Sequence, residues 1–339
     1  MRIGYVRQIE KIEDCFKKEY NNTLIIKIVC YIKYYLIRKF NITKEKMKYN
    51  DVYNDYYLIP KIYGNRNRIR KNENIAINLY KKLNNNQIKT VVLSECLNKN
   101  NEFKNILHSK NINILNGRIL FKVLIPNIIE YICKIREENI EKKEVTLLVN
   151  DLNEINIYLI KKLAKTLKVL NIVSNNTGKF KKIEKDLYEE MGIVINISNN
   201  KRKSLKNSNI IINVDFVEEM LNKYNINREA IIVNVEEKIN IGLKSYKGIN
   251  VNYYEFSSEY INSKKKDKDN EEEKHQNIFD EQLYFNINKL YESLFINNIK
   301  LDDKLKEKIQ DDIDIVKLIG NNGEINEVEF KQIEFTKKS

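Results

Sequence analysis

The sequence predicts an α/β protein built on a doubly wound parallel sheet, preceded by a smaller α/β domain and followed by C-terminal helices. Three observations carry this. From residue 88 onward, short apolar runs alternate with stretches of helical periodicity. The runs are continuously apolar and β-branched, as in strands buried on both faces of a parallel sheet. Finally, 339 residues with 42% hydrophobic and 32% charged side chains suit two folded domains rather than a disordered chain.

Taken in order, "KTVVLSECL" (89–97) is strand-like, "EFKNILHSK" (102–110) helical and "NINIL" (111–115) strand-like again. Gly117 precedes a long helical stretch over 118–139, within which Pro126 predicts a kink. A strand at Val145–Val149 leads to a helix over about 153–167. Strands at 169–174 and 192–198 flank a helix over 180–191, and further strands follow at 209–216 and 230–237. Strands alternating with helices of this length require right-handed crossovers in one parallel sheet. The run 261–277, "INSKKKDKDNEEEKHQN", has almost no apolar residue and reads as a solvated linker. Beyond it, 278–295 and 301–319 both have helical apolar spacing. The domain organisation expected is therefore 1–139, an N-terminal α/β domain; 140–256, the doubly wound domain; 257–277, the linker; and 278–339, a helical segment that packs on the N-terminal half or joins a homo-oligomer.

Sixty Lys and Arg against 47 Asp and Glu give a formal net charge of +13. Such a balance points to nucleic acid or an anionic surface. The chain is also crowded with Lys, Asn, Ile and Tyr, while Pro is 2 and Trp 0, which is the imprint of AT-rich codons. Surface lysines are ordinarily solvated, so codon bias accounts for the charge without a partner. Cys15, Cys30, Cys96 and Cys133 show no CxxC spacing, and only His108 and His275 accompany them. No zinc cluster follows, and a reducing, cytoplasmic compartment is expected. The N-terminus carries acids and no apolar core, unlike a signal peptide. "TLIIKIVCYIKYYLIRKF" (23–40) is interrupted by Lys27 and Lys33, so it reads as a buried helix rather than a membrane span.

The segment "EVTLLVNDLNEINIYLIKKLAKTL" (144–167) has the strand–turn–helix order of a nucleotide-binding unit, yet no glycine lies between Val145 and Thr177. Three pieces, "NIVSNNTGKF" (171–180), "DLYEEMGIVINI…SLKNSNIIINVD" (186–215) and "INREAIIVNVEEK" (226–238), together make 144–237 resemble the Rossmann-like dinucleotide-binding domain of the shikimate dehydrogenase and glutamyl-tRNA reductase group. The resemblance implies NADP-dependent oxidoreduction, with Asn175, Asn176, Thr177 and Lys179 as the loop that accepts a 2′-phosphate. The chain departs from the pattern where function resides. Glycines there permit the tight turn and the close approach of backbone to pyrophosphate. Here the turn reads Asn150-Asp151-Leu152-Asn153-Glu154, in which Asp151 or Asn153 suits a helix N-cap and the carboxylates of Asp151 and Glu154 repel phosphate.

Cys96 resembles the nucleophilic cysteine of the glutamyl-tRNA reductases, but the chain continues Leu97-Asn98-Lys99, with Lys99 the one nearby cation. An activated thiol needs a base or cation to lower its pKa, and a buried structural thiol is the expectation. Lys61, in "LIPKIYG", resembles the Pro-x-Lys of shikimate dehydrogenases, without the partner aspartate motif. Arg66, Arg68 and Arg70 alternate within "YGNRNRIRKNEN", and on an extended segment their guanidinium forks would share one face as an anion site. Lys201, Arg202, Lys203 and Lys206 form a second basic patch on the loop before the 209–216 strand. Aromatic residues of the kind that stack on bases are scarce around both. The functional expectation is a divergent Rossmann-like protein with a binding or regulatory role, holding no cofactor or NADP only weakly. An NADP-dependent oxidoreductase and a binder of nucleic acid or anionic surfaces stand as the alternatives.

Overall fold

The computed structural model describes residues 3–9, 32, 35, 43–49, 52–62, 69–243, 245–258, 287–298 and 313–335. They fall into two compact units, within Met1–Gly117 with Tyr260–Glu307, and Arg118–Glu259 with Lys308–Ser339. The first boundary thus lies at 117/118, where the sequence suggested 139/140. The linker at 261–277 and nearly all of the apolar stretch 23–40 lie outside the described residues.

The first unit is a five-stranded sheet in the order β2-β3-β1-β4-β5, formed by β1 (Ile3–Ile9), β2 (Thr43–Tyr49), β3 (Val52–Pro60), β4 (Thr90–Leu93) and β5 (Asn113–Ile114). β1 runs parallel to β3 and β4, β5 parallel to β4, and only the edge strand β2 is antiparallel. Along β1 the side chains alternate faces. Val6 joins a core in which α1 (Ile69–Asn85) contributes Ile75, Leu79 and Leu83, four residues apart on one stripe, and Phe103 and Leu107 come from α3 (Asn101–Ser109). A Cβ on Gly4 would press on Leu83, Ile88 and Tyr57 at 3.2–3.3 Å, so glycine there lets α1 settle close to the strand. The opposite face of β1 presents Tyr5, which stacks on Tyr56 at 4.9 Å and donates its hydroxyl proton to Ser293 Oγ at 2.6 Å, since Ser293 itself donates to Leu290 O. Ser293 belongs to α10 (Ile287–Asn298), which buries Leu290, Tyr291 and Phe295. The short α2 (Glu95–Asn98) follows β4.

The second unit contains a six-stranded, wholly parallel sheet: β6 (Glu144–Leu148), β7 (Val169–Val173), β8 (Asn196–Ser198), β9 (Ile210–Asn213), β10 (Ile231–Asn234) and β11 (Ile249–Val251), in the order β11-β10-β9-β6-β7-β8. Counted from β6, this is 6-5-4-1-2-3, the Rossmann order read from its far edge. The doubly wound parallel sheet expected from the sequence is thus present. Its covering helices include α4 (Arg118–Val123), α5 (Ile125–Ile135), α6 (Glu154–Thr166), α7 (Lys181–Met191), α8 (Lys201–Asn207) and α9 (Glu218–Leu221). Leu148, Val173, Leu205, Ile211, Phe216 and Ile232 are central to the core on one face.

Three local expectations are corrected. The stretch 118–139 is not one kinked helix: it breaks at Leu124, and Pro126 falls in the first turn of α5, where its missing N–H costs nothing. The basic patch of Lys201, Arg202, Lys203 and Lys206 lies on α8 rather than a loop, capped by Asn200 accepting from Lys203 N at 3.1 Å. The end of the predicted 301–319 helix is a strand, β13 (Ile313–Ile319), antiparallel to β12 (Tyr253–Ser258). From Ile313 the pattern has period two: Ile313 and Ile315 are buried, while Asp314 and Val316 are exposed. A capping box between Asn326 and Glu329 then starts α11 (Glu327–Gln332).

Candidate functional site

In a sheet of this order, ligands bind at the carboxyl ends of the strands, where the crossovers diverge between β6 and β9. The loop after β6 starts at Val149, and Asn153 caps α6 by accepting from Asn156 N at 2.9 Å, as its place before the helix predicted. Asp151 and Glu154 are exposed. The carboxylate that engages the loop's backbone is a different one, Asp215, from the loop after β9. Asn150 N donates to Asp215 Oδ1 and Oδ2 at 2.9 and 2.8 Å, Asn150 Nδ2 to Oδ1 at 3.1 Å, and Asp151 N to Oδ2 at 3.0 Å. Both oxygens accept, as an ionised carboxylate does. Consecutive backbone N–H groups converging on one anion are the means by which such turns hold phosphate. Here they hold a side chain of the protein itself.

Burial pushes the Asp215 carboxyl above the ordinary aspartate value, with Glu236 adding to the rise, while the Asn150 and Asp151 hydrogen bonds and the charge of Lys122 pull it down. Lys122, buried on α4, pairs with the rim carboxylate of Glu236 at 3.0 Å. Asn150 reaches the other way too, its Oδ1 accepting from Asn175 N at 2.8 Å. One asparagine therefore ties the loops after β6, β7 and β9 together. The sequence-predicted Asn175, Asn176 and Lys179 are exposed on the β7 loop and Thr177 is half-buried, so these four stand at the same sheet edge as Asp215. The Asn175 backbone N–H is already engaged.

Beyond β9 the edge is closed by a ladder of amides. Asn213 and Asn234 are register partners, and Asn252 immediately follows β11. Asn213 Nδ2 donates to Asn234 Oδ1 at 3.3 Å, Asn234 Nδ2 to Asn252 Oδ1 at 3.1 Å, and Asn252 Nδ2 to Asn321 Oδ1 at 2.7 Å. Arg118 braces the same edge from α4, with Nη1 donating to Val235 O at 3.1 Å and Asn252 O at 2.9 Å. None of Asp215, Arg118 or the ladder was recognised from sequence. The trace was the recurrent asparagine at strand ends, "IIINVD", "IIVNVE" and "INVNYY".

The carboxyl edge of the first unit's sheet places two other candidates. Lys61 follows β3 and Cys96 lies in α2 just after β4, with β1 between the two strands, roughly 10 Å across the sheet. Cys96 is exposed, a correction to the buried thiol expected, because Leu97 takes the core-facing position of that short helix. Arg70 sits in the first turn of α1, so an extended alternation does not run through it; Arg66 and Arg68 lie outside the described residues. His108 is exposed in the last turn of α3. Among the described residues no cluster of His, Cys, Asp and Glu is arranged to hold a metal, and no helix is long and apolar enough to cross a membrane.

The strand order and the carboxyl-edge loops define the second unit as Rossmann-like. No protein-family model matches the chain, and no curated protein matches it. Among solved structures it is similar to L-tryptophan dehydrogenase from Nostoc punctiforme, at 10% identity and a TM-score of 0.31, covering 91% of this chain and 78% of that one. An NAD-dependent malic enzyme from Thermotoga maritima gives 14% identity and a TM-score of 0.30, over 74% and 65% of the two chains. Glutamyl-tRNA reductase from Methanopyrus kandleri gives 10% and 0.25, over 71% and 68%. Likeness at this level assigns no function.

Proposed function

We propose that this is a divergent Rossmann-like protein with a binding or regulatory role, whose second unit keeps the fold without holding a dinucleotide in the usual way. The observation that carries the reading is the Asp215 carboxylate seated on the backbone N–H groups of Asn150 and Asp151. A pyrophosphate arriving there would have to displace a resident anion and then face it across a few ångströms, an unfavourable like-charge contact. The missing glycines act in the same direction, since side chains on residues 150–154 keep a ligand from the backbone. An NADP-dependent oxidoreductase is the competing reading, favoured by the exposed Asn175, Asn176 and Lys179 side chains, which suit a 2′-phosphate. Thermal unfolding with NADP⁺, NADPH, NAD⁺ and NADH separates the two. A ligand at 100 times its Kd stabilises a protein by about 2.7 kcal/mol. The proposed reading expects no saturable rise in Tm with any of the four; a saturable rise of several degrees with either phosphorylated form would replace it with the oxidoreductase.

A further inference from the structure

The first unit holds a buried amine that its own structure leaves unsatisfied. Lys289, on α10, is 4% exposed, and its Nζ makes no hydrogen bond; the Glu95 carboxylate lies 3.8 Å away, within reach of charge but not of a hydrogen bond. An ammonium carries three donors, and leaving them buried without acceptors is costly. Beside Glu95, the Ser94 hydroxyl is also buried without a partner, although Ser94 occupies the N-cap position of α2 where a serine ordinarily caps. All three groups stand at the carboxyl edge of β4, the end of a parallel strand where α/β proteins bind ligands. One turn further along α10, Glu292 is fully buried and accepts the Gly117 N–H at 2.7 Å.

We propose that Lys289 is a reactive amine that captures a small neutral carbonyl compound, an aldehyde or ketone, as a reversible imine, with Glu95 relaying the protons and the Ser94 hydroxyl available to the carbonyl oxygen. The neighbouring charges favour a neutral ligand: Glu95 and Glu292 act on the amine from one side of the balance and Lys104 from the other, so two carboxylates already face two ammonium groups and an uncharged carbonyl leaves that balance undisturbed. Burial also depresses the Lys289 pKa, with the two carboxylates opposing the fall and Lys104 adding to it, and so favours the neutral, nucleophilic form. In the step, the amine lone pair attacks the carbonyl carbon and the carbonyl oxygen takes a proton to give a carbinolamine. That oxygen then leaves as water, carrying both amine protons in the net balance: aldehyde plus amine gives imine plus water. Nothing is oxidised or reduced. This goes beyond the reading of the second unit and stands or falls separately from it.

The test uses the full chain. The protein is exposed briefly near neutral pH to butanal with cyanoborohydride, which reduces any imine to a stable secondary amine, and labelled peptides are quantified by mass spectrometry. An ordinary exposed lysine is neutral in only about one molecule in a thousand under these conditions, which makes the background low. Lys289 is expected to label at least about tenfold faster than Lys185, whose side chain is 70% exposed. Glu95→Gln should slow Lys289 and alter the pH profile of its rate while leaving Lys185 unchanged, and Lys289→Arg should abolish the fast phase. Labelling of Lys289 in the unmutated protein no faster than Lys185 overturns the proposal without reference to any variant. So does a fast phase that survives Lys289→Arg.

Discussion

Replacing Asn213 by leucine should damage the second unit far more than the same change at Asn234, although both asparagines are buried rungs of one ladder. Asn213 makes three hydrogen bonds: its Oδ1 accepts from Phe216 N at 3.0 Å, and its Nδ2 donates to Phe216 O at 2.9 Å and Asn234 Oδ1 at 3.3 Å. Leucine would strand both backbone groups of Phe216 in the core. At about 1–3 kcal/mol for each buried group left unpaired, the loss is about 2–6 kcal/mol. Asn234 makes two ladder bonds, but each neighbour keeps another partner: Asn213 Nδ2 retains Phe216 O, and Asn252 Oδ1 retains Ile239 N at 3.1 Å. With no group stranded, only net hydrogen-bond energy is lost, about 1–2 kcal/mol. For a domain of this size, that corresponds to Tm losses of about 10 °C at Asn213 against about 4 °C at Asn234. Far-UV circular dichroism during thermal and urea unfolding would measure both. If Asn234→Leu proved as damaging as Asn213→Leu, the ladder rather than the Phe216 turn would hold the edge.

Asp215→Ala should lose only about 1 kcal/mol, because water can replace the carboxylate at the exposed Asp151 N–H and the desolvation cost of the buried carboxylate offsets part of its hydrogen bonds, and sulfate should recover more stability in the variant than in the parent; urea titration with and without sulfate decides it. Burial alone would raise the Glu138 carboxyl, but hydrogen bonds and charge from Arg136 and Lys143 hold it below the ordinary glutamate value. Its stabilising contribution is therefore present above the unfolded-state pKa and is lost as pH falls through the depressed folded one, so Glu138→Gln should flatten the acid limb of the stability–pH curve and leave its shape at alkaline pH unchanged. Burial pushes the Cys133 thiol up to about 11, and Cys96 is exposed, so iodoacetamide should label Cys96 in the folded chain and reach Cys133 only on unfolding, as peptide mapping would show.

What could be read from the residues alone was the part governed by local burial. β6, β7, β9 and β10 were visible because strands covered on both faces must be continuously apolar. β1 and β3 were not assigned: "IGYVRQI" and "VYNDYYLIP" mix polar and aromatic residues, and their burial depends on α1 and on α10, the latter far along the chain. β13 was hidden by charged neighbours upstream that extend a helical spacing into a period-two segment. At the site, the local N-cap of Asn153 was legible, whereas the hold of Asp215 on Asn150 was not. That contact spans 65 residues and exists only because β9 pairs with β6, a fact of sheet order rather than of any short motif. The sequence suggested acidic repulsion from Asp151 and Glu154; in the structure both are exposed, and the carboxylate seated on the turn's backbone N–H groups is Asp215.

In the proposed reading, the Asp215 carboxylate takes the place on the turn after β6 that a pyrophosphate would need. Calorimetric titration of the full chain with NADP⁺ and with NAD⁺ at low salt tests it most directly. No saturable heat is expected for either up to about 1 mM, the scale on which binding is worth only about 4 kcal/mol. A micromolar Kd for either dinucleotide would contradict it, because the Asp215 carboxylate would then have yielded its place to pyrophosphate.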